Sequence, residues 1–245
     1  MKILLVDIGN TTADFRIWDK SKNSLTKIIR PETTDTKWRR STVLSKYFKD
    51  NKIEFEKIVY VSVVPEWNDI LRAFGANMKV EIFNLRSDFE IEKELFEVDD
   101  INKLGADFIA NFYGALDKHN IETGAIISMG TASTIAIIEN KKFKGAIICP
   151  GLKKSLNALI SSAVLLQNNT YEKSNKAYGK NTIDAINVGA YNAHYLMLKS
   201  MINNLNLKTA IFTGGNSIDF KEDIEKDGFV FDEELIFNGL IKFNK

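Results

Sequence analysis

The sequence is short of several things, and each shortage excludes a class of protein. Its 245 residues include one cysteine, Cys149, so no internal disulfide can form and a disulfide-stapled secreted fold has no support. Cys149 ends an apolar stretch and reads as a small buried thiol. The two histidines, His119 and His194, lie far apart with no cysteine or carboxylate at ligand spacing, which leaves no zinc pattern. Both read as surface or helix-packing residues. No apolar run approaches the roughly 20 residues of a spanning helix, and no basic-then-apolar leader opens the chain. With 33 Lys+Arg against 32 Asp+Glu the net charge is +1, so no global excess of cations exists to hold a polyanion by counterion release. Nucleic acid and membrane are therefore not expected as partners, and the cytoplasm is the expected location. Arginine also runs out: it occurs only at Arg16, Arg30, Arg39, Arg40, Arg72 and Arg86. The second half has to manage without a bidentate guanidinium of its own.

What is present suits a soluble α/β protein, with 44% hydrophobic residues and a length between one and two domains of roughly 150 residues each. Lys2 to Ile8 is an apolar run closed by a Gly-Asn turn, and Thr12 to Trp18 alternates as a second strand should. A third strand over Ser24 to Arg30 follows, then a helix over Thr36 to Asp50, with Trp38-Arg39-Arg40 on its solvated face. Lys57 to Val64 reads as a strand, Glu66 to Phe74 as a helix, Lys79 to Asn84 as a strand and Leu104 to Lys118 as a helix. The order then restarts. Strands are expected over Gly124 to Met129, Thr134 to Glu139 and Phe143 to Cys149. Helices are expected from Leu152 to about Leu166, from Asn181 to about Leu205 and from about Glu233, with a strand over Thr209 to Phe212. Asp14 and Asp19 read as solvent-facing. The helix from Asn181 mixes Ala185, Ala190 and Ala193 with bulky Tyr191, Tyr195, Leu196 and Met197, a composition that suits close packing in a dimer.

The two halves also share residues. Val6-Asp7-Ile8-Gly9-Asn10-Thr11-Thr12 laid over Ile127-Ser128-Met129-Gly130-Thr131-Ala132-Ser133 keeps the apolar positions and the glycine. We therefore expect a duplicated α/β architecture with lobes at 1–118 and 119–245 and a cleft between them. Both turns suit phosphate: glycine permits close approach, successive N–H groups can converge on an anion, and Asn or Thr adds neutral donors. Thr213-Gly214-Gly215-Asn216 is a third such turn. Gly179-Lys180-Asn181-Thr182 is not a Walker A loop, because the upstream glycine and the adjacent hydroxyl are missing.

Seven blocks in order carry a resemblance: Asp7-Ile8-Gly9-Asn10-Thr11, Leu104-Gly105-Ala106-Asp107, Gly130-Thr131-Ala132-Ser133-Thr134, Gly145 to Leu152, Asn181-Thr182 followed by Gly189, Thr213-Gly214-Gly215, and Phe237-Asn238-Gly239-Leu240. Together they resemble type III pantothenate kinases, members of the acetate kinase, sugar kinase, Hsp70 and actin superfamily. The resemblance implies the duplicated ribonuclease H-like (actin-like ATPase) fold, with mixed sheets flanked by helices. It implies ATP-dependent phosphorylation of pantothenate to 4'-phosphopantothenate, the first step of coenzyme A synthesis, in a homodimer using Mg²⁺ and a monovalent cation, K⁺ or NH₄⁺. Residue by residue, it implies that Asp7 organises the metal, that Gly9, Asn10 and Thr11 face the phosphates, and that Gly130, Thr131, Ala132, Ser133 and Thr134 form a second phosphate loop. Thr213, Gly214 and Gly215 would lie toward the nucleoside. Asp107 would be the general base, beside Gly105 and Ala106 at the pantothenate, with Thr182 at the substrate pocket.

The chain departs from the resembling pattern at five places. Phe108 stands for an arginine, Val98 for a tyrosine, Ser128 and Ala136 for two aspartates, and Lys144 for a glycine. Two readings follow. One is a divergent kinase in which Lys144, Lys153, Lys154 or a partner subunit supplies positive charge. The other is a relative that kept the fold but lost catalysis or phosphorylates another small alcohol, acting as a nucleotide- or ligand-binding protein.

Overall fold

Two five-stranded mixed sheets organise the chain in a computed structural model that describes residues 1–167 and 169–244. The first contains β1 (Lys2–Ile8), β2 (Ala13–Asp19), β3 (Ser24–Ile29), β4 (Lys57–Ser62) and β5 (Glu81–Asn84), in the order β3-β2-β1-β4-β5. β1, β2 and β3 form an antiparallel meander, and β4 and β5 add in parallel on the other side of β1. Parallel neighbours need crossovers, and α1 (Ser41–Asp50) and α2 (Glu66–Met78) supply them. The short α3 (Leu85–Asp88) and then α4 (Ala106–His119) follow.

The second sheet repeats this plan with β6 (Gly124–Met129), β7 (Ala132–Glu139), β8 (Lys142–Pro150), β9 (Ala210–Thr213) and β10 (Val230–Phe231). Its order, β8-β7-β6-β9-β10, is the same topology, again with an antiparallel meander followed by parallel additions. Here α5 (Leu152–Ser161), α6 (Thr182–Asn204) and α7 (Lys221–Lys226) make the connections, and α8 (Leu235–Lys242) ends the chain. The expected duplication is present in full. The compact units are nevertheless interleaved: the first comprises Met1–Lys93, Asp99–Asn120 and the segment from Leu235 onward, and the second Glu94–Val98 and Ile121–Glu234. A single boundary at 118/119 thus describes the middle of the chain and not its last helix. Among the described residues, no helix is long and apolar enough to cross a membrane.

Strand parity explains how each sheet is covered, because alternate residues face opposite sides. In the first unit Leu4, Val6 and Ile8 of β1 and Ala13, Phe15 and Ile17 of β2 join Leu44 and Phe48 of α1 and Trp67, Leu71 and Phe74 of α2 in one apolar core. The opposite parity is different. It carries Asp7 on β1, with Asp14 and Arg16 on β2, and Phe237 of α8 lies over Arg16. This second face is buried and apolar too, at Ile3, Leu5, Val59 and Val61, and the charges are set within it. In the second unit Ala125, Ile127, Met129, Ile135 and Phe212 pack with Tyr191, Tyr195 and Leu198 of α6.

Two expected helices differ at their ends. The one expected from Thr36 starts at Ser41, because Asp35 closes a turn of its own: its carboxylate accepts from Lys37 N–H at 2.9 Å and its carbonyl from Trp38 and Arg39 N–H. Trp38-Arg39-Arg40 is therefore not a helix face. The helix from Leu152 stops at Ser161, where the hydroxyls of Ser161 and Ser162 both donate to the Ala158 carbonyl and compete with the helical ladder.

Candidate functional site

The charged cluster of the first unit is set by strand register. Asp7 and Asp14 are directly opposed in the β1–β2 pair, an arrangement that costs free energy unless cations relieve it. Arg16, two residues on from Asp14 and so on the same face, gives its Nη2 to Asp14 Oδ2 at 3.0 Å and its Nε to Oδ1 at 3.4 Å. Both residues are buried, with 3% of Asp14 and 4% of Arg16 exposed. The expectation of a solvent-facing Asp14 is thus corrected. The paired guanidinium is what lets a carboxylate sit beneath a helix. Asp19 does lie at the surface, where it accepts from Ser21 N–H at 3.0 Å and closes a turn.

The turn between β1 and β2 is braced from one side. Gly9 N–H donates to Thr12 O at 3.0 Å, and the segment after β3 fastens the rest. Ala13 N–H donates to Pro31 O at 2.9 Å, Thr33 N–H to Thr11 O at 2.8 Å, and Thr33 Oγ1 to Gly9 O at 2.8 Å. Arg30 Nε donates to Thr12 Oγ1 at 3.2 Å and lies 3.7 Å from Asp14 Oδ2. Asn10 projects from the tip, exposed, with neither its backbone N–H nor its amide bonded to the protein.

Asp7 is the most perturbed group of this set. Its pKa is raised from 3.8 to about 7, first by burial, then by the charges of Asp14 and Asp107, while Arg30 and Arg16 pull it down. Asp107 is the second residue of α4, following Ala106. Its pKa is also raised by burial, against hydrogen bonds from its own and Phe108's N–H and the charge of Arg86. Asp107 is thus one of the charges against which Asp7 ionises. A Cβ at Gly105 would stand 2.3 Å from Asp107 Oδ1. Any side chain there would displace the carboxylate, so Gly105 is a requirement of its position. Asn111, one turn further along α4, has a buried Oδ1 with no protein partner.

In the second unit the expected turns come together. Gly214, at φ +89°, lies so close to Met129 that a Cβ would meet its N at 2.7 Å. Asn216 then gives its N–H to Met129 O and its Nδ2 to Gly130 O, both at 2.9 Å. Gly151 N–H donates to Thr131 O at 3.2 Å from the other side. The Gly130-Thr131 turn and Thr213-Gly214-Gly215 are therefore one constellation, and Asn216, which ties them together, was visible in the sequence as the end of the third turn. The second hairpin is one residue shorter than the first. Ile8 pairs with Ala13, but Met129 pairs with Ser133. The sequence overlay therefore slips by one beyond the glycines, and the counterparts of Asp7, Asp14 and Arg16 are Ser128, Thr134 and Ala136. The duplication kept the backbone and dropped the charges.

The other expected residues are placed as follows. Ser133 is fully buried and shares a 2.9 Å hydrogen bond with His194 Nε2 of α6. Burial lowers the His194 pKa, so the ring is neutral. Lys144 is not a free cation, because it pairs with Glu97, which also holds Lys142 at 3.1 Å. Thr182 opens α6 and lines a cavity of about 550 Å³ with Leu156 and Leu159 of α5 and Ile186, Ala190 and Met197 of α6. It belongs to the second unit, whereas Gly105, Ala106 and Asp107 belong to the first.

The residues of the first unit fit a divalent cation held by few protein ligands. Among the described residues no group of three or more His, Cys, Asp and Glu forms a metal cage. Asp7, in contrast, is a single crowded carboxylate with no hydrogen bond to the protein and no full neutralisation by its arginine neighbours. That donor set suits Mg²⁺, which keeps its waters and commonly takes one or two carboxylates together with substrate phosphates. The sequence signal for Arg16 was parity, charge at alternate positions of an otherwise apolar strand, whereas Arg30, just past β3, gave no such signal.

Comparison with known proteins agrees with this geometry. The family model described as type III pantothenate kinase matches residues 3–204. A type III pantothenate kinase of Kosmotoga olearia is 28% identical over 98% of this chain and 94% of its own length. Among solved structures, a Campylobacter jejuni protein, described provisionally as a conserved Baf family transcriptional activator, has a TM-score of 0.60 at 26% identity, covering 98% of this chain and 96% of the other. A Sinorhizobium meliloti protein, described provisionally as a 2-dehydro-3-deoxygalactonokinase, reaches 0.65 at 11% identity over 99% and 95% of the two chains. The last likeness concerns the fold alone, that of the actin-like and sugar kinase class.

Proposed function

This chain belongs to the type III pantothenate kinase family, and from that premise we propose that it transfers the γ-phosphoryl group of ATP to the primary hydroxyl of pantothenate. The observation that carries the reading is the carboxylate pair of the first unit, Asp7 and Asp107, held next to a glycine-containing turn and electrostatically coupled. Phosphoryl transfer depends on positioning, on neutralising charge and on a group that accepts the alcohol proton. Asp107 is the proposed base. Burial raises its proton affinity, and Gly105 leaves its carboxylate room. Gly105 and Ala106 would border the substrate. Asp7 would hold Mg²⁺, which when bound neutralises the triphosphate charge. Gly9, Asn10 and Thr11 would receive phosphate oxygens, with the free Asn10 N–H and amide as donors. On family grounds the braced turn of Gly130, Thr131, Ala132 and Thr134 is assigned as a second phosphate loop and Thr213, Gly214 and Gly215 to the nucleoside, whereas Ser133 is taken up by His194.

A monovalent cation, K⁺ or NH₄⁺, remains part of the proposal on family grounds, as does a cytoplasmic location without nucleic-acid or membrane partners. Retention of Asp7 and Asp107 together favours a working kinase over a relative without catalysis, since a coupled carboxylate pair costs stability with no structural return. Incubating the protein with ATP, Mg²⁺, K⁺ and pantothenate should yield 4'-phosphopantothenate by mass spectrometry. No product at high enzyme concentration, with ATP still bound, would leave the non-catalytic reading in its place.

The homodimer is proposed to form on the α5–α6 face. The cavity there is apolar, and Leu159 and Leu196 stand beside it 50% and 57% exposed, an arrangement that a second copy would cover. Sedimentation should give twice the 27.7 kDa chain mass, and Leu196→Glu should shift the species to monomer. A monomeric wild type would remove this surface from consideration.

A further inference from the structure

The transferred phosphoryl group carries negative charge, and the first unit offers it few cations. Arg16 is spent: it is buried, two of its nitrogens are committed to Asp14, and it lies 4.4 Å over the Phe237 ring. Arg30 differs. Its Nε is anchored to Thr12 Oγ1 at 3.2 Å, within the turn proposed to meet the phosphates, and stands 3.7 Å from the buried Asp14 carboxylate. Its side chain is 34% exposed, and neither Nη makes a hydrogen bond to the protein. The backbone behind it is fixed as well, through Pro31 O, Thr33 N–H and Thr33 Oγ1, all bonded to the same turn. A guanidinium pinned by Nε, with both Nη groups free, is a fork aimed by its own anchor.

We propose that Arg30 is a catalytic residue whose two Nη groups grip the γ-phosphoryl oxygens during transfer. The assignment rests on the kinase reading above. In that step the alcohol oxygen bonds to the γ-phosphorus as the bond from phosphorus to the β–γ bridging oxygen breaks. The alcohol proton passes to Asp107, and ADP departs with the bridging electron pair. Arg30 changes no bonds. It stabilises charge that spreads over the oxygens in flight, so its contribution is larger in the transition state than in bound ATP.

Calorimetric titrations of Arg30→Gln and Arg30→Lys with Mg²⁺–ADP alone, and with Mg²⁺–ADP plus aluminium fluoride as the transferring-group analogue, separate this role from a bracing one. In the wild type the fluoride should tighten binding. Arg30→Gln should keep ADP affinity within about threefold and lose most of that tightening, with kcat for pantothenate down by about 10²–10³-fold. Arg30→Lys, which retains charge without the fork, should recover no more than about tenfold of the loss. Equal losses for ADP and for the analogue would show that Arg30 only braces the turn, and unchanged analogue binding would show that it does not reach the phosphoryl group. Either overturns the proposal. A wild type that binds both ligands but phosphorylates no pantothenate overturns the substrate reading and leaves the Arg30 assignment standing.

Discussion

Asp107→Asn is expected to lower kcat by about 10²–10⁴-fold while ATP affinity changes little. The amide keeps the shape of the side chain, and its oxygen can still accept from the N–H groups of Asp107 and Phe108. It cannot take a proton, so turnover and not nucleotide binding reports the loss. The variant carries a second, electrostatic signature that is independent of turnover. Asp107 is one of the charges that raise the Asp7 pKa, so its neutralisation should let Asp7 ionise at lower pH. Steady-state kinetics with both substrates varied checks the first effect, and NMR titration of the carboxyl carbons checks the second. A variant with near-normal kcat would end the assignment of Asp107 as base, whatever the titration showed.

Much of this arrangement could be read from sequence, for a specific reason. Both hairpins, both crossovers and the restart at Gly124 follow from period-two apolar runs punctuated by Gly, Pro and Asn, and these are local signals. Gly105 and Gly214 were visible because close approach at these positions admits few substitutes. What escaped depended on pairing between distant segments. Asp14 looked like a surface residue because its partner on the same strand could be judged only once Asp7 was known to oppose it and α8 to cover it. The one-residue difference between the hairpins is invisible until strand register fixes which residues face each other. The last helix, Leu235–Lys242, gives no local hint that it belongs with the first unit.

The arginine shortage takes on a different meaning in the folded chain. All six arginines lie within the first 93 residues and hence in the first unit. That unit also holds the carboxylate pair, so Arg16 and Arg30 are where the charge needs them. Lys144, to which sequence alone could assign a compensating role, is occupied by Glu97. Ser128, Thr134 and Ala136 in turn show that the second hairpin needs no such compensation, because its own charges are gone.

The same electrostatics predicts how stability depends on pH. Asp7 has a raised pKa in the folded chain, about 7 against 3.8, so the folded state retains a proton that the unfolded state gives up. Below about pH 4 both states are protonated and the group has no effect. As pH rises from there to about 7, stability is lost progressively, and above 7 the loss is complete, on the order of 4 kcal/mol for a shift of about three units. Without ligands, the melting temperature should therefore fall between pH 5 and pH 8, and Asp7→Asn should remove most of that fall. For a chain of this size the difference corresponds to roughly 10 °C. Mg²⁺ with ADP should raise the melting temperature of the wild type more at pH 8 than at pH 5.5, because binding a cation requires the ionised carboxylate, and Asp7→Asn should lose that contrast. Parallel pH profiles for wild type and Asp7→Asn would show that Asp7 is not the strained group, and its proposed role as metal anchor would lose its physical basis.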